Sequence, residues 1–288
     1  MSDLQAYEIH LRNTSGPLPV HVVRGEWLRG LFYAGFKKAG TEGFEEQAIQ
    51  AHQKGQKGEE GETAPYAISV LKEELDIKGK SISAVRGVRI STFKAEYGDR
   101  VAEVWGGRAA KKSEVEFGSA KMIVESVRAN PRTSVTFANL KHEAANAFGL
   151  ELEFHTPTIL ERGVHIDLLP SPKKLWAGYR RRWEQYAPTD LYLPPEFDVW
   201  VEKCIFLRRI SVETEAAHIR DTTELHGLTG QIEFHALIED DDFPASRVDD
   251  YLRAWQMLAM FSEFCGTGKS TTEGFGRTRY VRAFGLRK

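Results

Sequence analysis

The sequence has few cysteines and no long apolar run. Its two cysteines, Cys204 and Cys265, cannot form a disulfide framework or complete a zinc site by themselves, which fits a reducing compartment. The longest nearly apolar stretch, AWQMLAMF, is far shorter than the ~20 residues that a membrane span requires. The first residues, MSDLQAYEIH, lack the basic region and apolar core of a signal peptide. We therefore expect a cytoplasmic protein that does not contact a membrane.

The sequence also has little net charge, because basic and acidic residues are nearly equal in number, but the two signs are unevenly distributed along the chain. The formal net charge is −2. From Gly266 to the C-terminus, however, six basic residues face one acid, Glu273, and the segment KKLWAGYRRRW has five basic residues and no acid. The acids concentrate elsewhere, notably in EDDD at residues 239–242. This segregation favours a polyanionic partner.

The stretch CGTGKSTTEGFGRTRYV contains GKST, which is typical of a nucleotide-binding P-loop, but the context is wrong. A P-loop requires a glycine where this chain has Glu263, and it requires a strand before the loop and a helix after it. Here the apolar spacing over Ser246–Phe264 predicts a helix before the loop, and the alternation in GRTRYVRAF predicts a strand after it. The glycines must therefore serve another purpose than binding ATP.

The periodicity of the second half predicts a β-α-β-β-α-β order. LELEFHTPTIL alternates like a strand that breaks at Pro157, and a Gly-rich turn between two later strands suggests a hairpin. The elements predicted after the first strand are a helix, two strands, a helix and a strand, at Lys173–Tyr186, Cys204–Ile219, Gly227–Ile238, Ser246–Phe264 and GRTRYVRAF. This order is that of a ferredoxin-like domain.

The first half repeats this order less clearly. A strand in LQAYEIHLRN precedes a helix over Arg24–Gly40 and a shorter helix in FEEQAIQAHQKG, and strands follow in APYAISVL, SISAVRGVRISTF, EVEFG and AKMIVESVRAN, with a helix around Asp99–Trp105. The sequence therefore predicts an α+β fold of two tandem ferredoxin-like domains, residues 1–138 and 139–288.

Five fragments resemble the CRISPR-associated repeat-processing endoribonucleases of the repeat-associated mysterious protein superfamily, and they occur along the chain in the order typical of that family. The late loop has the family's pattern of two G-x-G pairs, at Gly266, Gly268, Gly274 and Gly276. The other four fragments are APYAISVL, LEFHTPTIL, YRRRWEQYAP and GLTGQIEF, in which Leu228 stands where an aromatic residue is commoner. The resemblance extends over nearly the whole chain.

The resemblance implies an enzyme that cleaves CRISPR repeat RNA with no metal and no other cofactor. The 2′-OH of the scissile nucleotide would attack the adjacent phosphorus and leave a 2′,3′-cyclic phosphate and a 5′-OH. A member of a different class with the same fold, a non-catalytic RNA-binding subunit of a CRISPR effector complex, is the alternative. Association with other effector subunits, or with a second copy as a homodimer, is compatible with either.

The resemblance also implies the catalytic residues. His52, at the end of the short helix, matches the family's general acid/base, a role that suits imidazole because its pKa of ~6.5 lies near working pH. Tyr33 matches the tyrosine of the first helix, although it could equally be a core aromatic. Lys57 is the expected supporting lysine, with Lys54 as the alternative, and His21 is the reserve for His52.

The loop glycines would let the backbone approach an RNA strand closely, although a tight helix-to-strand connection would also favour glycine. The expected RNA-binding residues are Gly266, Gly268, Lys269, Gly274, Gly276, Arg277, Arg180 and Arg181. The consecutive arginines 180–182 cannot share one helix face, since each step turns about 100°, so at least one should point away. Trp176 and Tyr179 could stack on bases or pack inside the protein.

Overall fold

The computed structural model describes residues 3–19, 23, 25–37, 63–76, 81–162, 165–167, 169–220, 223–238 and 243–286. The candidates His21, His52, Lys54 and Lys57, the short helix predicted around residues 44–55 and the acidic run 239–242 lie outside these residues. The chain divides into two compact units. Unit 1 comprises Met1–Val135, Ala217–Leu225 and Ser270–Phe275, and unit 2 comprises Thr136–Ala216, His226–Lys269 and Gly276–Lys288.

Unit 1 is an antiparallel sheet covered by two helices. The chain runs through β1, β2, α1, β3, β4, α2, β5 and β6, at Leu4–Asn13, Leu18–Pro19, Glu26–Lys37, Tyr66–Asp76, Ser81–Thr92, Ala95–Ala110, Glu114–Phe117 and Ala120–Val135. In the sheet, β4 lies between β3 and β1, and β1 pairs with β6, whose other edge carries β5. The short β2 pairs with the start of β4.

Alternation along β1 directs Tyr7, Ile9 and Leu11 into the core of unit 1. The buried residues of α1 fall at the three- and four-residue spacing of one helix face: Leu28, Leu31, Phe32 and Phe36. In α2 the same spacing buries Tyr97, Val101, Val104 and Trp105. These residues form one continuous hydrophobic cluster with the inner face of the sheet.

Unit 2 has a second antiparallel sheet of four strands. It begins with the short helix α3 (Phe137–Glu143), the strand β7 (Ala147–Thr158) and the small hairpin of β8 (Leu160–Arg162) and β9 (His165–Asp167). Two helices and two strands follow: α4 (Pro172–Tyr186), α5 (Phe197–Cys204), β10 (Ile205–Arg220) and β11 (Thr223–Ala236). The last elements are α6 (Val248–Cys265) and β12 (Thr278–Leu286). The sheet order is β10-β11-β7-β12. Without the short extra elements, both units have the β-α-β-β-α-β order, and the predicted fold of two tandem ferredoxin-like domains is confirmed.

The core of unit 2 is rich in tryptophan. Trp176 on α4 packs edge-on against Phe234 and donates its indole N–H to the carbonyl of Trp255, 3.0 Å away. Trp183, two turns further along α4, donates to the carbonyl of Leu191 at 2.9 Å. Burying an indole is favourable when its N–H is satisfied in this way. Among the helices within the described ranges, none is long and apolar enough to cross a bilayer.

Two details of the sequence prediction are wrong. Strand β7 does not break at Pro157 but continues to Thr158; Pro157 has no ladder partner in either pairing, so its missing N–H leaves no gap. Gly227 and Gly230 lie inside β11, not in a turn, since β11 spans Thr223–Ala236. The helix predicted around Asp99–Trp105 is present and is α2, Ala95–Ala110.

Candidate RNA-binding loop and tyrosine site

The glycine-rich segment connects the end of α6 to the start of β12. Helix α6 ends at Cys265, where Gly266 donates its N–H to the carbonyl of Ser262. All four predicted loop glycines adopt positive φ, with values of 67° at Gly266, 77° at Gly268, 95° at Gly274 and 66° at Gly276. L-residues with a side chain rarely adopt this conformation. The helix-to-strand connection inferred from the periodicity is therefore present, and it depends on glycine.

Two of these glycines are also required by close contact with the protein's own backbone. A Cβ at Gly276 would lie 1.8 Å from the carbonyl oxygen of Thr267, and a Cβ at Gly268 would lie 2.3 Å from that of Ile159. Both distances are far below van der Waals contact. The folding of the loop alone thus accounts for these glycines, whatever ligand the loop binds.

Within unit 2, hydrogen bonds fix both ends of the segment. Thr267 donates its N–H to Gly276, and Lys269 donates its N–H to Ile159. Arg277 donates its N–H to the Thr156 hydroxyl at 2.9 Å. The side chain of Lys269 is exposed and that of Arg277 is half-buried. Both cations, which were predicted from the sequence as RNA ligands, therefore extend from backbone that is hydrogen-bonded to other parts of unit 2.

A buried tyrosine hydroxyl on α4 forms a hydrogen bond with the loop. Tyr179 lies 2.6 Å from the Thr267 hydroxyl, which also contacts the hydroxyl of Thr278. Burial raises the pKa of Tyr179, so the phenol stays neutral. Tyr179 and Trp176 are fully buried, which excludes stacking on RNA bases in this conformation. Of the two roles considered for these residues, packing is the one that the structure shows.

The three consecutive arginines of α4 point in different directions, as the helical turn requires. Arg182 is buried and donates to the carbonyls of Gly266 at 3.2 Å and Gly268 at 3.1 Å. Arg180 pairs with two carboxylates, on Glu184 at 2.8 Å and Asp198 at 3.0 Å. Arg181 is exposed. A phosphate would therefore meet Arg181 directly, whereas at Arg180 it would compete with both carboxylates.

Arg182 was not among the loop or RNA-binding residues predicted from the sequence. Its signal was present in the helical spacing: Leu175, Tyr179 and Trp183 mark the inward face of α4, and Arg182 lies three residues after Tyr179, next to that face. A guanidinium can satisfy several carbonyls from one buried position because it has five N–H donors. Arg182 thus replaces the hydrogen bonds that the carbonyls of Gly266 and Gly268 would otherwise make with water.

In unit 1, Tyr33 lies on α1 and is half-buried. Its hydroxyl is 3.1 Å from the hydroxyl of Tyr66, at the start of β3. Burial raises the pKa of Tyr66 well above its ordinary value, Tyr33 raises it further, and the charge of Arg29 acts in the opposite direction. Because a hydroxyl both donates and accepts, Tyr33 can accept a hydrogen bond from the neutral Tyr66 and donate to another oxygen.

The segment 270–275, within the glycine-rich loop, belongs to unit 1 and includes a second residue that the sequence analysis missed. Glu273 is buried, accepts the Gly25 N–H at its carbonyl, 2.7 Å away, and pairs through its carboxylate with Arg29 at 2.5 Å. In the sequence it was only a lone acid in a basic tail, and nothing in its spacing indicated a partner more than 240 positions away. Among the described residues, no group of three or more His, Cys, Asp or Glu side chains could hold a metal ion.

Comparison with known proteins identifies relatives of this chain. The family model described as CRISPR-associated endoribonuclease Cas6 matches residues 152–278. A search of the curated protein sequences gave no match. Similar solved structures include a Cas6 product complex, with a TM-score of 0.69, 21% identity and coverage of 97% of this chain and 99% of that chain. Another is Thermus thermophilus Cas6, with a TM-score of 0.70, 16% identity and coverage of 98% and 99%.

A third similar structure, described as an RAMP protein binding different RNA substrates, has a TM-score of 0.56 and 12% identity, and the match covers 96% of this chain and all of that one. At such identities the structural matches establish the fold. The family match adds sequence evidence over the segment that contains the four loop glycines and the arginines of α4. Together they confirm the resemblance that the motifs predicted: this chain is similar to the CRISPR-associated repeat-processing endoribonucleases, and its residues 152–278 match the model of the Cas6 family.

Proposed function

We propose that this chain is a metal-independent endoribonuclease that cuts CRISPR precursor RNA within its repeats and so produces guide RNAs. The observation that carries the proposal is the Cas6 family match over residues 152–278, which includes the whole glycine-rich loop. The similar structures include a Cas6 product complex and a Cas6 substrate mimic complex, both of which match over nearly the full length of this chain.

The proposed reaction is a transesterification at one phosphate of the RNA. The 2′ oxygen of the scissile nucleotide attacks the adjacent phosphorus, and the bond from phosphorus to the 5′ oxygen of the next nucleotide breaks. A base accepts the proton of the 2′-OH, and an acid donates one to the departing 5′ oxygen. The products are a 2′,3′-cyclic phosphate and a 5′-OH.

His52 is proposed as the group that transfers protons, with Tyr33 and Lys57 stabilising the negative charge that develops on the phosphate. Support for the role of Tyr33 comes from its surroundings: the half-buried hydroxyl is held beside the Tyr66 hydroxyl, so its position is defined before RNA binds. A donor that is already in place costs little reorganisation in the transition state.

The RNA backbone is proposed to bind at the glycine-rich loop and along α4. Lys269 and Arg277 extend from backbone that is hydrogen-bonded in place, and Arg181 is exposed. Arg180 is the weaker member of the proposed set because two carboxylates already neutralise it. The glycines Gly266, Gly268, Gly274 and Gly276 would contribute the loop shape that brings the main chain and Lys269 to the phosphates.

The test is cleavage of a repeat RNA by the full chain in excess EDTA. We expect cutting to continue, and we expect a single 2′-deoxy substitution at the scissile nucleotide to abolish it while RNA binding persists. His52→Ala should slow cleavage by ~10²-fold or more, as the loss of a general acid/base does, with little change in affinity. Comparing Lys54→Ala with Lys57→Ala identifies the supporting lysine.

Cutting of the 2′-deoxy substrate would refute the mechanism, and undiminished cutting by His52→Ala would remove that residue and direct attention to His21. An RNA that binds tightly but is never cut by the wild-type chain would instead identify a non-catalytic RNA-binding subunit. A metal requirement would appear as loss of cutting in EDTA and its return on adding a divalent cation.

A further inference from the structure

The short 3₁₀ turn Thr271–Glu273 of the glycine-rich loop is attached to the beginning of α1 at two points. The carbonyl oxygen of Glu273 accepts the N–H of Gly25, the residue before α1, at 2.7 Å. One helical turn further on, Arg29 donates a hydrogen bond from its guanidinium to the Glu273 carboxylate at 2.5 Å. All of these residues belong to unit 1. Two contacts one turn apart restrain both the position and the rotation of the helix.

The ion pair is shielded from solvent, which makes it sensitive to the loss of either partner. The Glu273 side chain is 6% exposed and that of Arg29 is 21% exposed. Removing one member of such a pair takes a close opposite charge from the other in a poorly solvated place, and that is costlier than breaking a surface pair. The backbone bond to Gly25 also places Glu273 beside the N-terminus of α1, where the helix dipole favours negative charge.

Arg29 connects this attachment to the tyrosine site. Arg29 and Tyr33 are four residues apart and therefore lie on the same face of α1. The Tyr33 hydroxyl meets the Tyr66 hydroxyl, and the charge of Arg29 acts on Tyr66. A rotation or shift of the first turn of α1 would consequently move the Tyr33 hydroxyl relative to Tyr66.

We infer that Glu273 is a positioning residue: by holding the first turn of α1 through Gly25 and Arg29, it sets the place of the Tyr33 hydroxyl. It needs no contact with RNA for this role. The consequence for cleavage rests on the proposed function, in which Tyr33 stabilises the transition state. The restraint of α1 by Glu273 does not depend on that function.

The test uses the full chain with Glu273→Gln, which keeps the volume and the backbone bond to Gly25 but removes the charge. The matched control is Glu125→Gln, which breaks an ion pair with Arg12 in the same unit, where the two side chains are 45% and 57% exposed. Single-turnover cleavage, RNA affinity and hydrogen exchange of the α1 amides are measured for each. We expect Glu273→Gln to cut about tenfold more slowly, with affinity within about twofold of wild type, and to exchange faster in α1.

A double-variant cycle separates positioning from a general loss of structure. If Glu273 acts through Tyr33, adding Glu273→Gln to Tyr33→Phe should slow cleavage by less than about twofold beyond Tyr33→Phe alone. The exchanged pair Arg29→Glu with Glu273→Arg should recover part of the rate and of the α1 protection that Glu273→Gln loses.

Each result decides the inference. If Glu273→Gln leaves α1 exchange at the wild-type level, the inference is wrong, whatever the cleavage rate. The inference also fails if the variant loses affinity in proportion to rate, or if its effect adds fully to that of Tyr33→Phe. A wild-type chain that does not cleave refutes the proposed function instead, and α1 exchange still determines whether Glu273 restrains the helix.

Discussion

The contact between Gly276 and Thr267 allows a quantitative test of why the loop contains glycine. Gly276→Ala places a Cβ in a residue with a φ of 66° and only 1.8 Å from the Thr267 carbonyl oxygen. The left-handed conformation alone costs about 1–2 kcal/mol for a residue with a side chain. Relief of the overlap requires a backbone shift that breaks the bond from the Thr267 N–H to the Gly276 carbonyl, worth about 1 kcal/mol. We expect a total destabilisation of about 3–4 kcal/mol once strain at the neighbouring bonds is included.

Gly16→Ala provides the matched control. Gly16 has a φ of 91°, but a Cβ there would meet nothing within 4 Å, so only the conformational cost applies. Urea denaturation is followed by tryptophan fluorescence, which reports on both units because Trp105 is buried in unit 1 and four tryptophans are buried in unit 2, and it gives both midpoints under the same conditions. If Gly276→Ala is no more destabilising than Gly16→Ala, the loop does not have the close backbone contact described above, and its glycines need another explanation.

Two further predictions concern the support of the loop by unit 2. Arg182→Met should destabilise unit 2 by about 2–3 kcal/mol because it removes the guanidinium donors from the carbonyls of Gly266 and Gly268, whereas Arg181→Met should leave the urea midpoint unchanged and weaken RNA binding. Burial raises the pKa of Cys265 from its ordinary 9.0 to about 11. The thiol remains protonated in the fold after it ionises in the unfolded chain, so its contribution to stability is complete below pH 9 and declines as the pH rises to about 11. That decline, measured by urea midpoints across this range, should be smaller in Cys265→Ala; an unchanged pH dependence would show that the thiol is not responsible.

The fold was largely predictable from the sequence because its signals are local. The apolar spacing in α1, α4 and α6 and the alternation in β1 and β12 each occur within one element, and the β-α-β-β-α-β order follows from their succession. The errors came from residues with local meaning that tertiary contacts override. Pro157 was taken to end a strand, yet it lies where neither neighbouring strand needs its N–H.

The site was less predictable because its contacts join distant parts of the chain. The glycine pattern indicated the loop, and the arginine run indicated that three residues must diverge. The arginine run could not indicate that Arg182 would turn toward the loop carbonyls while Arg180 pairs with Asp198 on α5. Glu273 was the hardest case: two of its partners, Gly25 and Arg29, lie at the other end of the chain, and a lone acid among cations has no periodicity that identifies a contact.

The structure also changes how loop variants can be interpreted. Because a side chain at Gly268 or Gly276 would overlap protein backbone, replacing either glycine disturbs the loop before any RNA arrives. Loss of RNA binding in such variants is therefore not evidence that a glycine contacts RNA. Lys269 is different: its N–H is fixed to Ile159 while its side chain is exposed, so truncating it changes charge without changing the backbone. Whether the loop binds phosphate is consequently a question for Lys269 and Arg277, whereas whether it folds is a question for the glycines.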